Sequence, residues 1–295
     1  MIFRSKPNLW FRYLLTTLSP RWSVRVLYRH CHHKKLNLDN PQTMDEKIQW
    51  LKLHYCQQDI VKQCADKYRV REYVESCGLG HILNPLVAKY HSAKEIPWPD
   101  LPNKFVLKWN FGDGGNVICP DKSKLDSPAA VRDLNKFGKL KFHLISAEPQ
   151  YDIAEKLILC EEFIETADGH APVDYKFYCF NGKAEYVLCC YGRGEREKPA
   201  FYFFDRQWEL QRLNKQGKDA PADFTLPKPE GMEQLFEYAE ILSKPFPFVR
   251  ADFYLENGKP CFGELTFTPG GGFDSGRLPE TDLLFGSMIK LPDIK

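Results

Sequence analysis

The spacing of apolar residues changes along the chain from a helical period to a strand period. Leu9, Trp10, Tyr13, Leu14, Leu18, Trp22, Val26 and Leu27 recur at three- and four-residue steps, with Arg12, Arg25 and Arg29 interleaved. This predicts an amphipathic helix whose extent is limited by Pro7 and Pro20. Thr43-Met44-Asp45-Glu46 reads as a capping box ahead of Ile48, Leu51 and Tyr55. Ile60, Val61, Cys64, Tyr68 and Val74 predict a second helix stopped at Gly78 and Gly80. Leu38–Gly80 is therefore expected to be helical. Pro97-Trp98-Pro99 and Pro102 form a stiff connector, the best candidate domain boundary.

Beyond that connector the period shortens. Lys104–Trp109 is β-prone and runs into Asn110-Phe111-Gly112-Asp113-Gly114-Gly115-Asn116, after which Val117-Ile118-Cys119 resumes extended structure. Ser127-Pro128 opens a helix carried by Ala130, Leu134 and Phe137. Leu157–Ile164 reads as a strand ending in acids. Asp174–Phe180 and Ala184–Tyr191 flank Asn181-Gly182, and Phe248–Leu255 and Cys261–Phe267 flank Asn257-Gly258, so two hairpins are predicted. Lys215–Lys228 reads as a polar surface loop, and Met232, Leu235, Phe236, Ala239 and Leu242 as a helix. The fold class is α+β. Residues 1–37 are expected to form a basic amphipathic arm and 38–100 a helical region. A small subdomain (101–160) and a C-terminal subdomain (161–295) follow.

Charge is close to balance, 41 basic residues against 39 acidic ones, which argues against a nucleic-acid binder. Its distribution is uneven. Arg4, Lys6, Arg12, Arg21, Arg25, Arg29, Lys34 and Lys35 precede the first acid, Asp39, so the remaining chain is acidic by six charges. The longest apolar stretch of the head, Tyr13–Leu18, is far short of the roughly 20 residues that span a bilayer. Two readings stay open: residues 1–35 lie on an anionic membrane surface, or they form a helix docked on the body with solvated arginines. The ten cysteines lack the spacing of a zinc knuckle or redox motif and are expected to be reduced and buried in a cytoplasmic protein.

Three stretches could carry chemistry. Lys108 ends a strand beside the Gly112–Asn116 loop, a natural phosphate holder, although neither a Walker A loop nor a dinucleotide fingerprint is present. Glu161-Glu162-Phe163-Ile164 ends a strand with acids suited to ribose hydroxyls, and Asp174 and Lys176 follow. Arg250 and Asp252 are two apart on a strand and so share a face, while Glu264 and Thr266 lie on the returning strand. An Asp and a Glu from adjacent strands are hard oxygen ligands suited to Mg²⁺ beside nucleotide phosphates; the plain alternative is a surface ion network. Register decides between them. A simple two-residue Asn257-Gly258 turn sets Asp252 opposite Gly263, whereas an odd-length connection or an equivalent bulge sets it opposite Glu264.

The order lysine strand, glycine-rich loop, Glu-Glu-Phe-Ile, Arg-x-Asp strand and Gly-Glu-Leu-Thr-Phe-Thr-Pro-Gly resembles the ATP-grasp superfamily, and most closely its TupA-like group of surface-polysaccharide biosynthesis. The segments from Lys47 to Lys52, Phe105 to Lys108, Asp174 to Phe177, Phe180 to Lys183 and Gly263 to Gly270 are similar to that group's recurring segments. The resemblance runs from about Leu36 to Pro292. It implies an ATP-grasp fold with ATP between two α+β subdomains. Lys108 and Lys176 would then meet the phosphates, with the loop Gly112, Asp113, Gly114, Gly115 and Asn116 closing over them. Glu161, Glu162, Phe163 and Ile164 would form the adenine hinge, with Asp174 nearby. Asp252, Glu264 and Thr266 would hold Mg²⁺, and Arg250 would stabilise the transferred phosphoryl group. Thr266 stands where many ATP-grasp ligases have Asn, which leaves open one or two metal ions.

The chemistry implied is formation of an acyl phosphate from a carboxylate and ATP, followed by attack of an amine. The substrates implied are a uronic-acid carboxyl of a surface glycan, free or carried on a nucleotide or lipid, and an amino acid. The location implied is cytoplasmic, at the inner face of the membrane. Rival readings are a kinase of a glycan or sugar, a glycosyltransferase, or a degenerate scaffold; the complete set Lys108, Arg250, Asp252 and Glu264 argues against degeneracy.

Overall fold

The computed structural model describes residues 6–293 except 167, 168, 170 and 193–198. The first five residues of the arm, Arg4 among them, lie outside the described residues. The arm is two helices, α1 (Lys6–Leu18) and α2 (Pro20–His32). They part at Ser19, whose hydroxyl accepts from Trp22 N at 3.2 Å while Pro20 occupies the first turn of α2. The inner face is docked. Val24 and Tyr28 join the main core, buried Arg12 donates to Ile145 O at 2.9 Å, and the Tyr13 hydroxyl accepts from Lys141 N at 3.1 Å. The outer face leaves Trp10, Phe11, Leu14, Leu18 and Trp22 exposed. Among the described residues no helix is long and apolar enough to cross a membrane.

Helix α3 (Met44–His54) starts at the expected capping box: Thr43 Oγ1 accepts from Glu46 N, and Glu46 Oε2 accepts from Thr43 N, both at 3.2 Å. It is tied to α2 and to the C-terminal helix through Asp45. His32 Nε2 lies 3.3 Å from Asp45 Oδ2, and Arg277 donates to Asp45 at 3.0 Å and to Asp282 at 2.7 Å. The second predicted helix is two helices, α4 (Asp59–Ala65) and α5 (Val70–Ser76). The break comes at Asp66, whose Oδ1 accepts from Tyr68 N at 2.8 Å and Arg69 N at 3.2 Å, taking the backbone donors that a continuous helix would use.

Four strands form a small antiparallel sheet in the order β1-β4-β2-β3: β1 (Leu86–Tyr90), β2 (Phe105–Trp109), β3 (Val117–Cys119) and β4 (Ile158–Glu162). The stretch 38–100 is thus not helical throughout. Its β1 pairs with β4 and crosses the proline connector to join the small sheet. Helix α6 (Ser127–Gly138), capped by the Asp126 carboxylate, packs Leu134 and Phe137 against this sheet, and Trp109 Nε1 donates to Leu134 O at 3.0 Å.

The larger antiparallel sheet runs β10-β9-β5-β6-β7-β8. It contains β5 (Asp174–Phe180), β6 (Lys183–Tyr191), β7 (Ala200–Phe204), β8 (Leu210–Gln211), β9 (Phe248–Glu256) and β10 (Lys259–Thr266). Both predicted hairpins form. Their Asn-Gly turns have positive φ at both residues (51° and 81° at Asn181 and Gly182, 50° and 71° at Asn257 and Gly258), the geometry that favours this pair. The stretch read as a polar loop includes the short helix α7 (Lys215–Asp219), capped by Asn214. Helix α8 (Met232–Ser243) covers one sheet face, with Phe236 edge-on to Phe177 at 4.8 Å. The C-terminal helix α9 (Pro279–Met288) places Phe285 against Tyr178 and Phe180 on the other. Because side chains alternate, Asp174 and Lys176 share the face of Tyr178. All ten cysteines are free thiols, seven of them buried.

Candidate active site

The site begins with a register shift. The Asn257-Gly258 turn pairs Glu256 with Lys259, and the pairing proceeds regularly to Phe253 with Phe262. It then skips Gly263, so that Glu264 faces Asp252 and Thr266 faces Arg250. This is the bulge that the metal reading required. A Cβ on Gly263 would lie 2.9 Å from the Asp252 carbonyl oxygen, so only glycine fits the bulged position without backbone movement. On the other side of β9, Lys176 of β5 stands opposite Asp252.

Three strands thus deliver one network. Arg250 forks onto Asp252 through Nε (2.7 Å) and Nη2 (2.6 Å), and Lys176 Nζ bridges Asp252 (2.5 Å) and Asp174 (2.7 Å). Thr266 Oγ1 accepts from Arg250 Nη2 at 3.2 Å and donates to Glu264 Oε1 at 3.0 Å. Asp252, Asp174 and Lys176 are buried, and Glu264 sits at the partly exposed rim. Burial pulls Arg250 and Lys176 downward, but the surrounding acidic groups together, Asp252 foremost, outweigh it and both are raised. Burial pushes Glu264 up, yet Lys67, Arg250 and Lys176 together hold it down at about 2. Burial also pushes Asp252 up, against the pull of Arg250 and Lys176. Its oxygens meet three cationic N–H donors, which a protonated carboxyl could not accept equally, so Asp252 is a carboxylate here.

Lys67 is a cation at the site that sequence reasoning missed. It sits in the break between α4 and α5, its backbone N–H donating to Asn110 O at 2.8 Å. The break is pinned from below, because Asn110 Nδ2 donates to Asp66 Oδ2 at 3.0 Å and Asn110 Oδ1 accepts from Leu157 N at 2.9 Å. Its ammonium then links the glycine-rich loop to β10, 2.6 Å from Gly112 O and 3.5 Å from Glu264 Oε2. An Asp that ends an apolar repeat by capping the next backbone groups was the available signal.

The glycine-rich loop has a structural reason for its composition. Gly112 and Gly115 have φ of 70° and 71°, and a Cβ on them would stand 2.6 Å from the Phe142 ring and 2.3 Å from the Phe137 ring. The close approach made possible by these glycines is to aromatic rings of the small core. Gly114 also has positive φ (94°), while Asp113 and Asn116 remain at the surface. Tyr151 packs edge-on to Phe142 at 5.2 Å and is raised well above its ordinary value by burial, with Glu148, Glu264 and Asp113 adding to the shift.

A second ion pair stands beside this network. Lys108 Nζ lies 2.7 Å from Glu161 Oε2, and both line a cleft with Lys67, Arg71, Asn84 and Phe262. Glu162 ends β4 with its side chain exposed, and its backbone is held by Asn84 and Pro85. Phe163 and Ile164 lie beyond the strand end. The cleft therefore gathers Lys108, Glu161 and Lys67 on one side and β10 on the other, whereas Glu162, Asp113 and Asn116 point to the surface.

The arrangement can neutralise a polyanion and hold a divalent cation. Asp252 and Glu264 offer hard oxygens on facing strands, with the Thr266 hydroxyl bonded to Glu264, a donor set that fits Mg²⁺ shared with phosphate oxygens. Among the described residues no group of three or more His, Cys, Asp or Glu forms a closed metal cage.

Comparison with known proteins adds the following. A family model described as TupA-like ATPgrasp matches residues 46–290. No curated protein matches the chain. Among solved structures, the chain is similar to the D-alanine–D-alanine ligase of Bacillus anthracis complexed with ATP (15% identity, TM-score 0.48, 78% of this chain and 66% of that one). It is also similar to the L-amino acid ligase of Bacillus licheniformis (14% identity, TM-score 0.46, 85% of this chain and 56% of that one).

Proposed function

This chain belongs to the TupA-like ATP-grasp family, and on that premise we propose that it is an ATP- and Mg²⁺-dependent ligase joining a carboxylate to an amine. The carboxylate is a uronic acid of a cell-surface polysaccharide, free or carried on a nucleotide or lipid, and the amine is an amino acid. The observation that carries the reading is the bulge at Gly263, which sets Glu264 across from Asp252 within reach of Arg250, Lys176 and Lys67.

In this reading Asp252 and Glu264 hold Mg²⁺, with Thr266 as a third oxygen. The ion, when bound, supplies charge neutralisation on the phosphate oxygens. Lys108 and Lys67 contact the phosphates at the cleft, and Glu161, now paired with Lys108, turns to the ribose at the hinge formed with Glu162, Phe163 and Ile164. Arg250 and Lys176 exchange Asp252 for oxygens of the transferred phosphoryl group, where developing charge makes them most effective. The carboxylate oxygen of the acceptor attacks the γ-phosphorus and ADP leaves. The amine nitrogen then attacks the acyl carbon, phosphate leaves, and the amine gives up a proton. The Gly112–Asn116 loop, held by Lys67 and backed by Phe137 and Phe142, excludes water from the acyl phosphate.

The exposed row Trp10, Leu14, Leu18 and Trp22 beside Arg21, Arg25 and Arg29 supports an anionic membrane surface as partner of residues 1–35, where lipid-linked glycans would be met. The activity is tested by incubating the protein with Mg-ATP, a glucuronate-bearing oligosaccharide and a panel of amino acids. ADP and phosphate released only when both co-substrates are present is the expected result. ADP with a phosphorylated oligosaccharide indicates a kinase instead, and UDP released from a sugar nucleotide indicates glycosyl transfer.

A further inference from the structure

Immediately beyond the metal-bearing strand the chain turns through three successive glycines in left-handed conformation, Gly270, Gly271 and Gly272, with φ of 61°, 66° and 69°. At Gly272 space as well as φ demands glycine, since a Cβ would lie 2.4 Å from Gln49 Nε2 and 2.7 Å from Ile48 Cγ2. The carbonyls of Gly271 and Gly272 point into α3, while that of Gly270 accepts from Phe273 N at 3.2 Å. Lys52 Nζ donates to Gly271 O at 2.5 Å, to Ser146 O at 2.9 Å and to Gln49 Oε1 at 3.1 Å, using all three ammonium hydrogens. Gln49 Nε2 donates to Gly271 O at 3.1 Å and Gly272 O at 2.9 Å. The Lys52 side chain is almost wholly buried and lies over the Phe273 ring at 4.8 Å.

All three acceptors of this buried cation are uncharged oxygens. An ammonium in such a place carries a desolvation cost that no facing carboxylate offsets by direct contact, and an apolar side chain of similar length would be cheaper to bury. Stability alone does not account for the lysine. Its effect is on the turn. In a planar trans peptide the carbonyl and the following N–H point in opposite directions, so anchoring Gly271 O on α3 directs the N–H of Gly272 away from α3.

We propose that Lys52, aligned by Gln49, is a positioning residue: it locks the Gly271–Gly272 peptide so that the Gly272 N–H is presented to the carboxylate substrate lying beside the metal strand. The identity of that substrate rests on the ligase reading above; the lock on the turn does not. Burial pulls the Lys52 ammonium down to about 8, opposed by Glu148, Cys56 and Asp45 and reinforced by Arg12, and Cys31 also faces it. These groups come from α1, α2, α3, the turn after α3 and the segment before Gln150, and His32 of α2, itself raised first by its hydrogen bond to Asp45, hydrogen-bonds Gly272 of the glycine turn. A neutral amine has two hydrogens and cannot serve three acceptors, so the lock, left partly to Gln49, loosens as pH rises through about 8. Between about 8 and the ordinary lysine value of 10.5 the unfolded chain binds the extra proton, so this group's contribution to stability rises with pH. Loosening of the turn in that range is therefore not unfolding.

The experiment is amide hydrogen exchange of the full-length protein, read on the peptide containing Gly270–Phe273 and corrected for intrinsic rates. Wild type, Lys52→Met and Lys52→Arg are compared, with MgADP affinity as the control. Wild-type protection of the turn falls by about tenfold from about pH 7 to about pH 9. Lys52→Met is about tenfold less protected throughout with MgADP affinity kept within about twofold, and Lys52→Arg stays protected at the higher pH. With the glucuronate oligosaccharide and alanine as probe, Lys52→Met raises the oligosaccharide KM by about tenfold and leaves the ATP KM within about twofold. Unchanged protection in Lys52→Met, a pH-independent wild type, or loss of protection in Lys52→Arg overturns the lock. Equal rises in both KM values overturn the positioning role. A wild type inactive on the oligosaccharide overturns the acceptor assignment, and exchange then decides the lock separately.

Discussion

Glu264 faces Asp252 because Gly263 is bulged out of the β9–β10 pairing; without the bulge the turn at Asn257-Gly258 would put Glu264 on the opposite face of the sheet. The bulged residue has no room for a Cβ, which would stand 2.9 Å from the Asp252 carbonyl oxygen. Gly263→Ala is expected to cost about 1–3 kcal/mol in urea unfolding and to weaken MgADP binding by at least about tenfold, because both carboxylates must shift. Unaltered nucleotide affinity in this variant would detach the bulge from the site.

The two carboxylates proposed to hold Mg²⁺, Asp252 and Glu264, are not equivalent as mutational targets. Asp252 is buried against Arg250 and Lys176, so Asp252→Asn leaves two buried cations facing a neutral amide and is expected to cost about 3–5 kcal/mol. Glu264 is at the rim, and Glu264→Gln is expected to cost about 0–1 kcal/mol. Both variants should lower Mg-dependent turnover by at least about a hundredfold. Turnover and thermal unfolding measured together separate the effects, and full activity in Glu264→Gln removes that residue from the site.

Lys67 is the first of the cations that hold Glu264 at about 2 against the upward push of burial. A carboxyl depressed in the folded state adds stability above its unfolded value of 4.5, and that contribution is lost as pH falls toward about 2. Exposure at the rim screens the contribution in solution. Lys67→Met should move the Glu264 titration upward, as followed by carboxyl carbon NMR, and lower MgADP affinity. A titration that stays in place would show that Lys67 does not govern the rim carboxylate.

The arm is joined to the body from within. Val24 and Tyr28 lie in the main core, Arg12 reaches Ile145 and His32 reaches Asp45. Removing residues 1–35 is therefore expected to lower stability by several kcal/mol, at about 1.5–3 kcal/mol per large buried side chain, and cannot serve as a clean test of membrane binding. Replacing the outer residues Trp10, Leu18 and Trp22 by Ser should leave the unfolding midpoint nearly unchanged. The same variant should lose sedimentation with phosphatidylglycerol-containing vesicles. Equal sedimentation of variant and wild type would leave the exposed face without a lipid role.

Much of this was legible in the sequence where chemistry is local. The two Asn-Gly turns, the capping box at Thr43 and the proline start of α6 each formed where the residues indicated. The facing carboxylates were legible because only one register makes Asp252 and Glu264 useful together. The break between α4 and α5 was passed over, since Tyr68 continues the apolar spacing past Asp66, whose local bonds to Tyr68 and Arg69 were its one signal; the Asn110 bond that pins it spans 44 residues. Lys67 was hidden by that break. Strand β1 escaped notice because its alternate residues are exposed, so its apolar signal is diluted. Lys52 entered only as the end of the Lys47–Lys52 segment that resembles the family; its burial depends on three oxygens from distant segments and from Gln49.

The central claim is that the site phosphorylates a carboxylate before an amine attacks it. It is tested most directly with a glucuronate oligosaccharide labelled with ¹⁸O in its carboxyl group, together with Mg-ATP and the amino acid that supports turnover. Transfer of one ¹⁸O from the carboxyl to the released inorganic phosphate is the predicted result. ADP release with no label in the phosphate, the ¹⁸O staying in the oligosaccharide, would contradict the acyl-phosphate route.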